Sequence, residues 1–454
     1  MNSSHKHNKT SKHSNSRHSK SSRHSKSSRH SKSSRHSKSS RHSKSSRHSK
    51  SSRHSKSSRH SKGSKSSKDS KSSKGSKSSI SLFDTINFQF ISFGCWGGNG
   101  NEICNIYDNK TNVGRVLNTV KKMIEHNKRI NKSISFLVTL GDNYYPLSIK
   151  DKNTGKKIKH FDKTSLTSMF ECLNQVTDIP KRMIMGNHDF KAETSYVDDE
   201  PCSSTDVQLA LFDNDEFIAN KLFFIDHKVD DTLFLFLNTN LYDDDEDNLL
   251  EYVECMRPLY SAFFDVYLPE NILEISDDRE RGLATIMFYK EFQERHIRKY
   301  CESILKKYQI QNIFFCGHHP MYGLKTKVKN GKTSHKPQQL NLGGLLFIQS
   351  IIELFYSMNN QIKLYYLSAD VHLYQKSFIY FDQFPYTPIE HIIVGTGGTD
   401  LDDAPSEELS LPIQDKYNIM KINILETDAN NYGFLLTKRK DNYYINDFIS
   451  IPTQ

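Results

Sequence analysis

The chain has 454 residues, with 63 Lys and Arg against 52 acidic residues and a formal net charge of +11. No apolar run approaches the roughly 18 residues that span a bilayer. The N-terminal stretch also lacks the apolar region of a secretory signal. We therefore expect no membrane association, no secretion and an intracellular location in the cytoplasm or nucleus.

The charge is divided between two unlike parts of the chain. Residues 1–79 hold 24 basic residues and one acidic residue, a net charge of +23. The rest holds 39 basic and 51 acidic residues, a net charge of −12. From Arg17 to Arg59 the sequence RHSKSS recurs every six residues, and no apolar residue follows Met1 in this part. Such a segment cannot offset the entropy of ordering, so we predict a disordered basic tail.

Several interpretations of the tail stay open. It is a solvated spacer, or it binds nucleic acid or another polyanion through counterion release. Its serines, flanked by Arg and Lys, also suit a basic-directed kinase, whose phosphates would reverse the charge. Its eleven histidines suggest metal binding, which the repeated Arg and Lys oppose. Richness in Asn, Lys, Ile and Tyr is typical of an AT-rich genome, as in a protist or a giant virus. A polycation in a virus would suit a virion filled with nucleic acid.

Residues 80–454 are predicted to form one mixed α/β domain. Short apolar runs such as FQFIS, ISFLVTL, TLFLFLN, IFFC, KLYYL and HIIVG predict strands that end in polar or glycine-rich loops. Between them, 116–129 has helical spacing, and 346–355 predicts an amphipathic helix that faces the core. The acidic range 198–278 is expected to be loops or an insertion with a solvated face, with calcium binding as the alternative.

The cysteines give a separate expectation. There are seven, an odd number, and their spacing is irregular. This pattern does not predict a disulfide framework, and a reducing compartment is the simpler interpretation.

Five loops concentrate side chains of the kind that bind metals. They are FGCWGG (93–98), LGDNYY (140–145), MGNHDF (185–190), CGHHPMYG (316–323) and SADVHLY (368–374). Each lies at or just after an apolar run. A single histidine at a strand end is more often structural, but five such loops in one chain are hard to explain by packing alone. We predict that they gather in one site.

The blocks GDNYY, GNHD, GHHP and HLYQ resemble, in order and spacing, those of the calcineurin-like metallophosphoesterase superfamily. GDN followed by an aromatic residue and Tyr, together with WGG, is similar to the purple or tartrate-resistant acid phosphatases. The later IIVGTGGTD (392–400) resembles a glycine loop that closes the site in that branch. The similarity covers most of residues 88–440. It implies a four-layer αββα sandwich.

The resemblance also implies a centre of two metal ions, iron with zinc, iron or manganese. Five ligand positions match the family in residue type: Asp142, Tyr145, Asn187, His318 and His372. Asp142 would bridge the two ions, and Tyr145 would bind ferric iron as a phenolate. Asn187 and His318 would bind the second ion, and His372 the first.

Three further residues receive roles beside the metals. His188 would act next to the substrate phosphate as a proton donor or oxyanion partner. His319 lies outside the usual motif and is either a second substrate-facing imidazole or merely exposed. Asp189 would brace its loop or orient His188.

Two ligand positions depart from the family. Cys95 stands where the family has an Asp for the ferric ion, and Asp370 stands where it has a His for the second ion. Both residue types bind metals. A thiolate favours zinc or ferrous iron, whereas Asp370 helps to hold divalent cations but weakens the attraction for phosphate. The alternative for Cys95 is a small buried residue without a metal.

The expected function is metal-dependent hydrolysis of a phosphate ester, either a phosphomonoester or a phosphoprotein. Water or hydroxide between the two metals would attack phosphorus in line. The alternative is a catalytically degenerate member of the same fold. It would serve as a scaffold or binding module, localised to polyanions by the basic tail.

Overall fold

The computed structural model describes residues 88–98, 103–107, 110–150, 157–190, 222–229, 231–403 and 420–453, and positions 202, 205, 207 and 208. All expectations for the tail, residues 1–79, lie outside these residues. In the part of the chain that the structure describes, no helix is long and apolar enough to cross a membrane.

The smaller of two large sheets has five strands. Its parallel part consists of β1 (Gln89–Phe93), β2 (Phe136–Leu140) and β5 (Lys181–Ile184). β15 (Asn431–Lys440) joins β1 in antiparallel orientation, and β16 (Tyr443–Pro452) forms the edge. The order is β16-β15-β1-β2-β5.

The larger sheet has seven strands in the order β14-β12-β13-β11-β8-β7-β6. Their bounds are Phe224–Val229 (β6), Thr232–Phe236 (β7), Asn312–Cys316 (β8), Lys363–Ser368 (β11), Tyr374–Phe381 (β12), Ile389–Val394 (β13) and Met420–Asp428 (β14). The central strands β7, β8, β11 and β13 are parallel. Two antiparallel ribbons pair β3 (Leu147–Lys150) with β4 (Lys157–His160), and β9 (Gly323–Lys329) with β10 (Lys332–Gln338).

Six α-helices are described, and polar caps begin most of them. Their bounds are Asn112–Arg129 (α1), Lys163–Val176 (α2), Glu246–Phe264 (α3), Glu270–Leu273 (α4), Asp278–Leu305 (α5) and Leu342–Tyr356 (α6). The side chains of Thr111, Asp162, Asp245, Asp277 and Asn341 each accept a hydrogen bond from a first-turn N–H. The two predicted helices are confirmed as parts of α1 and α6. Short 3₁₀ turns span Asn187–Phe190 and Thr239–Tyr242.

Alternating side chains of the larger sheet point into two cores. In β7, Phe234 and Phe236 face the smaller sheet, while Leu233 and Leu235 pack with α3, α5 and α6. The ring centroids of Phe234 and Phe90 lie 5.4 Å apart and join the two sheets. Each sheet therefore contributes one face to a common central core.

The outer face of the smaller sheet is covered by α1 and α2. Trp96 packs edge-on between Phe93 at the end of β1 and Phe170 of α2, with centroid distances of 6.2 and 5.6 Å. Val116 and Val120 of α1 are buried in the same core. The layers thus run helix, sheet, sheet, helix, which confirms the predicted mixed α/β class and four-layer sandwich.

The acidic range 198–278 departs from the expectation of loops. Its described part contains β6, β7, α3 and α4, and β7 pairs with β8 inside the larger sheet. The apolar run TLFLFLN supplies β7, and Asp245 caps α3. The acidic residues cluster at element ends, so the composition of the range concealed its helices, whereas the apolar run TLFLFLN predicted β7 correctly.

The expectation about cysteines was also wrong for four of the seven. Disulfides join Cys104 to Cys172 and Cys202 to Cys255, while Cys95, Cys301 and Cys316 are free and buried. The paired residues are 68 and 53 positions apart. Only the packing of distant elements brings them together, so their spacing carried no signal. The cysteine-based argument for a reducing compartment is thereby removed.

Candidate metal centre

The five predicted loops meet at one edge of the sandwich. β1, β2 and β5 end at three of them, and β8 and β11 end at the other two. The loops are joined by backbone hydrogen bonds, from Cys95 N to Gly141 O at 3.0 Å and from Ala369 N to His318 O at 2.9 Å. Gly94 N donates to Val394 O at 2.9 Å and links the two sheets. Carboxyl ends of parallel strands commonly hold functional sites in this way.

Three of the predicted ligands have strained backbone. Cys95, Asp142 and Asp370 have φ of 51°, 51° and 63°, in the left-handed region. A non-glycine residue there costs on the order of 1–3 kcal/mol. Aspartate tolerates this region better than cysteine does, so Cys95 occupies a position whose backbone suits an Asp or Asn. Such strain is typical of functional sites.

Glycines allow the loops to approach closely. Gly141 has a φ of +86°, and a Cβ there would lie 2.7 Å from His318 Nδ1. A Cβ on Gly186 would lie 2.3 Å from the backbone nitrogen of Asp142. These contacts explain why a glycine precedes both Asp142 and Asn187.

One group of ligand atoms surrounds the hydroxyl of Tyr145. Cys95 Sγ, one oxygen of Asp142 and one ring nitrogen of His372 all lie within 4.8 Å of one another. Tyr145 Oη donates to Asp142 Oδ2 at 2.6 Å and lies 3.1 Å from His372 Nε2. His372 Nδ1 faces the backbone oxygen of Asp400 at 2.8 Å, so it carries the proton of the neutral ring. His372 Nε2 is then free to bind a metal, an orientation typical of histidine ligands.

A second group lies on the other side of Asp142. His318 Nε2 lies 3.2 Å from Asp142 Oδ1 and 3.8 Å from Asp370 Oδ1. His318 Nδ1 faces the backbone oxygen of Leu140 at 2.7 Å, which leaves Nε2 as the metal-binding nitrogen. Three buried atoms here have no hydrogen-bond partner: Asn187 Oδ1, His318 Nε2 and Asp370 Oδ2. Buried polar atoms are rarely left in this state.

Asp142 connects the two groups because its oxygens point to different sides. Oδ2 faces Tyr145, whereas Oδ1 faces His318 and accepts from His188 N at 3.0 Å. Burial would raise the pKa of Asp142, but His318 and His188 outweigh it and lower the pKa below its ordinary value. The carboxylate is therefore charged, with one oxygen facing each group.

Two other donors of the first group, the Cys95 thiol and the Tyr145 hydroxyl, keep their protons when no metal is bound. Burial and then the charge of Asp142 raise the pKa of the Cys95 thiol well above its ordinary value. The same two causes raise the pKa of Tyr145. A cation would displace these protons, as metals do from thiol ligands.

Donor atoms lie on both sides of Asp142. Cys95, Tyr145 and His372 supply sulfur, oxygen and nitrogen on one side, and Asp142 is shared. On the other side Asn187, His318 and Asp370 supply two oxygens and a nitrogen, the atoms that lack partners. Mixed N, O and S sets suit zinc and iron, and N and O sets suit most divalent metals. All seven predicted ligands are thus brought together.

The two histidines predicted to act in catalysis lie beside these groups. The ring of His188 packs on Tyr145, with centroids 4.5 Å apart. His319 is buried, so its exposed alternative is excluded. His319 Nδ1 lies 3.3 Å from Thr239 Oγ1, and Nε2 lies 3.7 Å from Asp243 Oδ2. Burial lowers the pKa of His319, although Asp370 and Asp243 oppose the shift.

Asp189 braces the loops from behind. Its carboxylate accepts from the backbone N–H groups of Gly186, Asn143 and Tyr144 and from the side-chain amides of Asn143 and Gln208. Burial raises the pKa of Asp189 to about 7. Asn143 also accepts from Trp96 Nε1 at 2.8 Å, so three of the five loops share this network.

Sequence reasoning missed two charged residues near the site. Lys325 of β9 extends to Asp402, with Nζ 3.8 Å from Oδ2, and Asp402 accepts from the backbone of His372. Asp243 contacts His319 and belongs to the YDDDED segment, which the sequence indicated only as an acidic surface. A lysine in a short exposed ribbon gives no signal of its own.

The sequence matches no protein-family model and no curated protein. Among solved structures, the fold is similar to PhoD, with 10% identity and a TM-score of 0.41 over 80% of this chain. This chain spans 65% of the length of PhoD. A dimetal phosphatase from Danio rerio shows 11% identity and a TM-score of 0.39, over 81% of this chain and 99% of that one.

Proposed function

We propose that this protein is a dimetal phosphoester hydrolase, of the acid phosphatase type that its motifs resemble. One observation carries the proposal: His318 lies 3.2 Å from Asp142 and 3.8 Å from Asp370, and Asn187 lines the same cavity as Asp370. Buried atoms of Asn187, His318 and Asp370 lack hydrogen-bond partners. Leaving each such atom unsatisfied costs about 1–3 kcal/mol, which a bound cation would remove. A structural packing role gives no reason for this cost.

The bound ions would lower the pKa of a water molecule and neutralise charge on the phosphate. The side chains around them divide the other tasks. His188 lies beside the bridging carboxylate, where it can donate to a phosphate oxygen. His319 can hold a proton at Nε2, next to Asp243, for the departing oxygen. The buried Trp96 and Phe93 keep water from the rear of the site.

The two departures from the family remain compatible with this function. The thiol of Cys95 lies among the first ligands, and thiolate would favour zinc or ferrous iron over ferric iron. Asp370 adds negative charge, but Lys325 supplies a nearby cation. The degenerate scaffold stays the alternative, because the high pKa of Cys95 allows it to remain a neutral thiol.

The test compares the full chain with Asp142→Asn. Both are purified without a His-tag, loaded with metal, analysed for elements and assayed on a chromogenic aryl phosphate. Comparing metal content between variants isolates ions at the site from any held by the tail. We expect Asp142→Asn to lose metal and at least roughly 100-fold in turnover, since the bridging charge supplies several kcal/mol.

Asp265→Asn is the matched control. Asp265 also has left-handed backbone, with a φ of 52°, but it is exposed at the end of α3. It should keep both metal and turnover. Equal turnover in Asp142→Asn would contradict the hydrolase. Absence of metal and of turnover in the unaltered chain would favour the scaffold.

Two separate proposals concern residues 1–79: they bind a polyanion, and a basic-directed kinase phosphorylates their serines. Both are supported by the charge of +23 and the RHSKSS repeat. Binding to DNA should weaken steeply with salt. Binding that is independent of salt would contradict this proposal.

A further inference from the structure

An acidic cavity of about 320 Å³ opens beside the second ligand group. Asn187, Asp370 and His319 form its inner wall. Its outer wall is the acidic segment, defined here as Asp243, Asp244, Asp245 and Glu246. Lys336 is the single basic residue among the lining residues. A substrate whose phosphate reaches the metals would place its organic part against this outer wall.

The inner wall holds the observation that points to a ligand. Asn187, His319 and Asp370 are each more than nine-tenths buried, and each has a side-chain atom without a partner. His319 Nε2 faces the acidic segment, 3.7 Å from Asp243 Oδ2. The acidic segment therefore adjoins a built site and is not an isolated surface cluster.

Helix capping does not account for all of these charges. Asp245 caps α3, and Glu246 lies in its first turn, where acidic residues are common. The helix dipole corresponds to only about half a unit charge. Asp243 precedes the cap, and its carboxylate is held by Asn248 and Tyr252 at 3.1 and 3.2 Å. Arg279 offsets the charge of Glu246, at 2.6 Å from its carboxylate, and the three aspartates that remain still exceed what the helix requires.

We propose that this acidic segment selects phosphoserine esters within Arg- and Lys-rich polypeptides, an inference that rests on the proposed hydrolase function. Negative charge beside a phosphate site repels a simple anion, so it is useful only when the substrate also carries cations. Four consecutive acidic residues suit several cations in a chain better than one cationic head group. The RHSKSS repeat of residues 17–62 has this chemistry, with serines between Arg and Lys.

The reaction would be hydrolysis of the serine ester. A water oxygen bonds to phosphorus as the bond from phosphorus to the serine oxygen breaks. That serine oxygen takes a proton, so the products are serine and inorganic phosphate. The acidic segment takes no part in these bond changes and acts only in binding.

The test uses two phosphoserine peptides with the full, metal-loaded chain. One copies residues 17–28 with phosphate on Ser19, and the other has Gln in place of every Arg and Lys. We expect kcat/KM to favour the basic peptide by roughly tenfold or more at low salt, and the preference to shrink at high salt.

A double variant, Asp244→Asn with Glu246→Gln, should reduce the preference by roughly three- to tenfold, because it removes two of the four carboxylates of the acidic segment that lines the cavity. The matched control is Glu353→Gln with Asp382→Asn, which removes the same charge from exposed positions outside the cavity. The control should retain the preference. An unchanged preference in the first variant, or no preference in the unaltered chain, would overturn the proposal.

Binding distinguishes this inference from the proposed function. Fluorescence anisotropy of the two labelled peptides reports recognition without turnover. If neither peptide nor an aryl phosphate is hydrolysed, the hydrolase fails, and tighter binding of the basic peptide still supports the acidic segment. If the aryl phosphate is hydrolysed but the peptides bind and react equally, only the inference about the acidic segment fails.

Discussion

The two ligand groups differ in how well their polar atoms are hydrogen-bonded when no cation is bound. Around Tyr145, the donor atoms contact one another, and a single phenol proton lies between Asp142 and His372. Around His318, three buried atoms have no hydrogen-bond partner. The donor atoms of the first group can hydrogen-bond to one another, whereas buried atoms of the second group lack hydrogen-bond partners. The second group therefore has more to gain from a metal.

Each group also contains one departure from the motifs that the sequence resembles. Cys95 places a soft sulfur donor in the first group, and Asp370 places a second carboxylate in the other. If both groups bind ions, this difference predicts unlike metals, with the softer and more thiophilic ion beside Cys95. A protein that had merely lost its site would have no reason to keep a donor atom at both positions.

Removing His318 tests the second group and should have the largest effect. His318→Ala deletes the imidazole between Asp142 and Asp370, so we expect one site ion fewer per chain and a loss of roughly 10²–10³-fold in kcat/KM. Elemental analysis and turnover of an aryl phosphate measure both. His391→Ala is the control, because His391 is equally buried in the larger sheet but bonds only to Ser368 and Ser377 among the groups around its ring. The folded fraction of His391→Ala should keep both ions. A loss of metal and of kcat/KM equal to that of His318→Ala would contradict the assignment of His318 as a metal ligand.

Asp189→Asn tests the brace that both groups share. The new amide would direct an N–H₂ group at N–H donors, so we expect a loss of about 2–4 kcal/mol in the free energy of unfolding. Denaturant titration measures it. Asp428→Asn is the control, since Asp428 accepts three hydrogen bonds in a turn that is open to solvent. That change should cost about 1 kcal/mol or less. Similar losses in the free energy of unfolding for Asp189→Asn and Asp428→Asn would contradict the bracing role of Asp189.

Cys95→Ser tests whether sulfur binds the first ion. In cobalt-substituted protein, a thiolate ligand gives a charge-transfer band in the near ultraviolet, and serine gives none. We expect the band in the unaltered chain, its loss in Cys95→Ser, and an affinity for the first ion lower by roughly tenfold or more. Cys316→Ser, a change at another buried free cysteine, should keep the band. A band that survives Cys95→Ser would leave Cys95 as a packing residue.

Much of this site could be predicted because its signals are local. Gly141 and Asp142 follow β2 directly, and Gly317 and His318 follow β8. The candidate ligands of each loop therefore lie within a few residues of a strand that the sequence predicts. The four layers follow in the same way from alternating apolar runs such as that of β7.

The missed features depend on contacts between distant parts of the chain. Cys104 meets Cys172 only because α2 packs beside the first loops. Asp243 reaches His319 only because the turn after β7 crosses the end of β8. The composition around Asp243 indicated a solvated surface, whereas its geometry makes it a cavity wall. No local pattern of residue spacing in the sequence indicates these long-range contacts.

Lys325→Gln should have the smallest effect on catalysis. It tests whether the positive charge of Lys325 offsets the negative charge of Asp370. Burial lowers the pKa of Lys325, but Asp370 and Asp402 outweigh it and raise the pKa above its ordinary value, so the ammonium stays charged. It offsets the carboxylate that Asp370 adds beside an anionic substrate. Without it, we expect KM for an aryl phosphate to rise roughly three- to tenfold, with kcat changed less than about twofold.

The control for this last change is Lys327→Gln, two residues along the same strand and exposed to solvent. It removes the same charge at a position outside the site, so KM should stay within about twofold at moderate salt. Elemental analysis should find both ions in each variant. An unchanged KM in Lys325→Gln would mean that Lys325 only pairs with Asp402. Loss of an ion would mean that the lysine holds His372 in place through Asp402, because Asp402 accepts from the backbone of His372 at 2.9 Å.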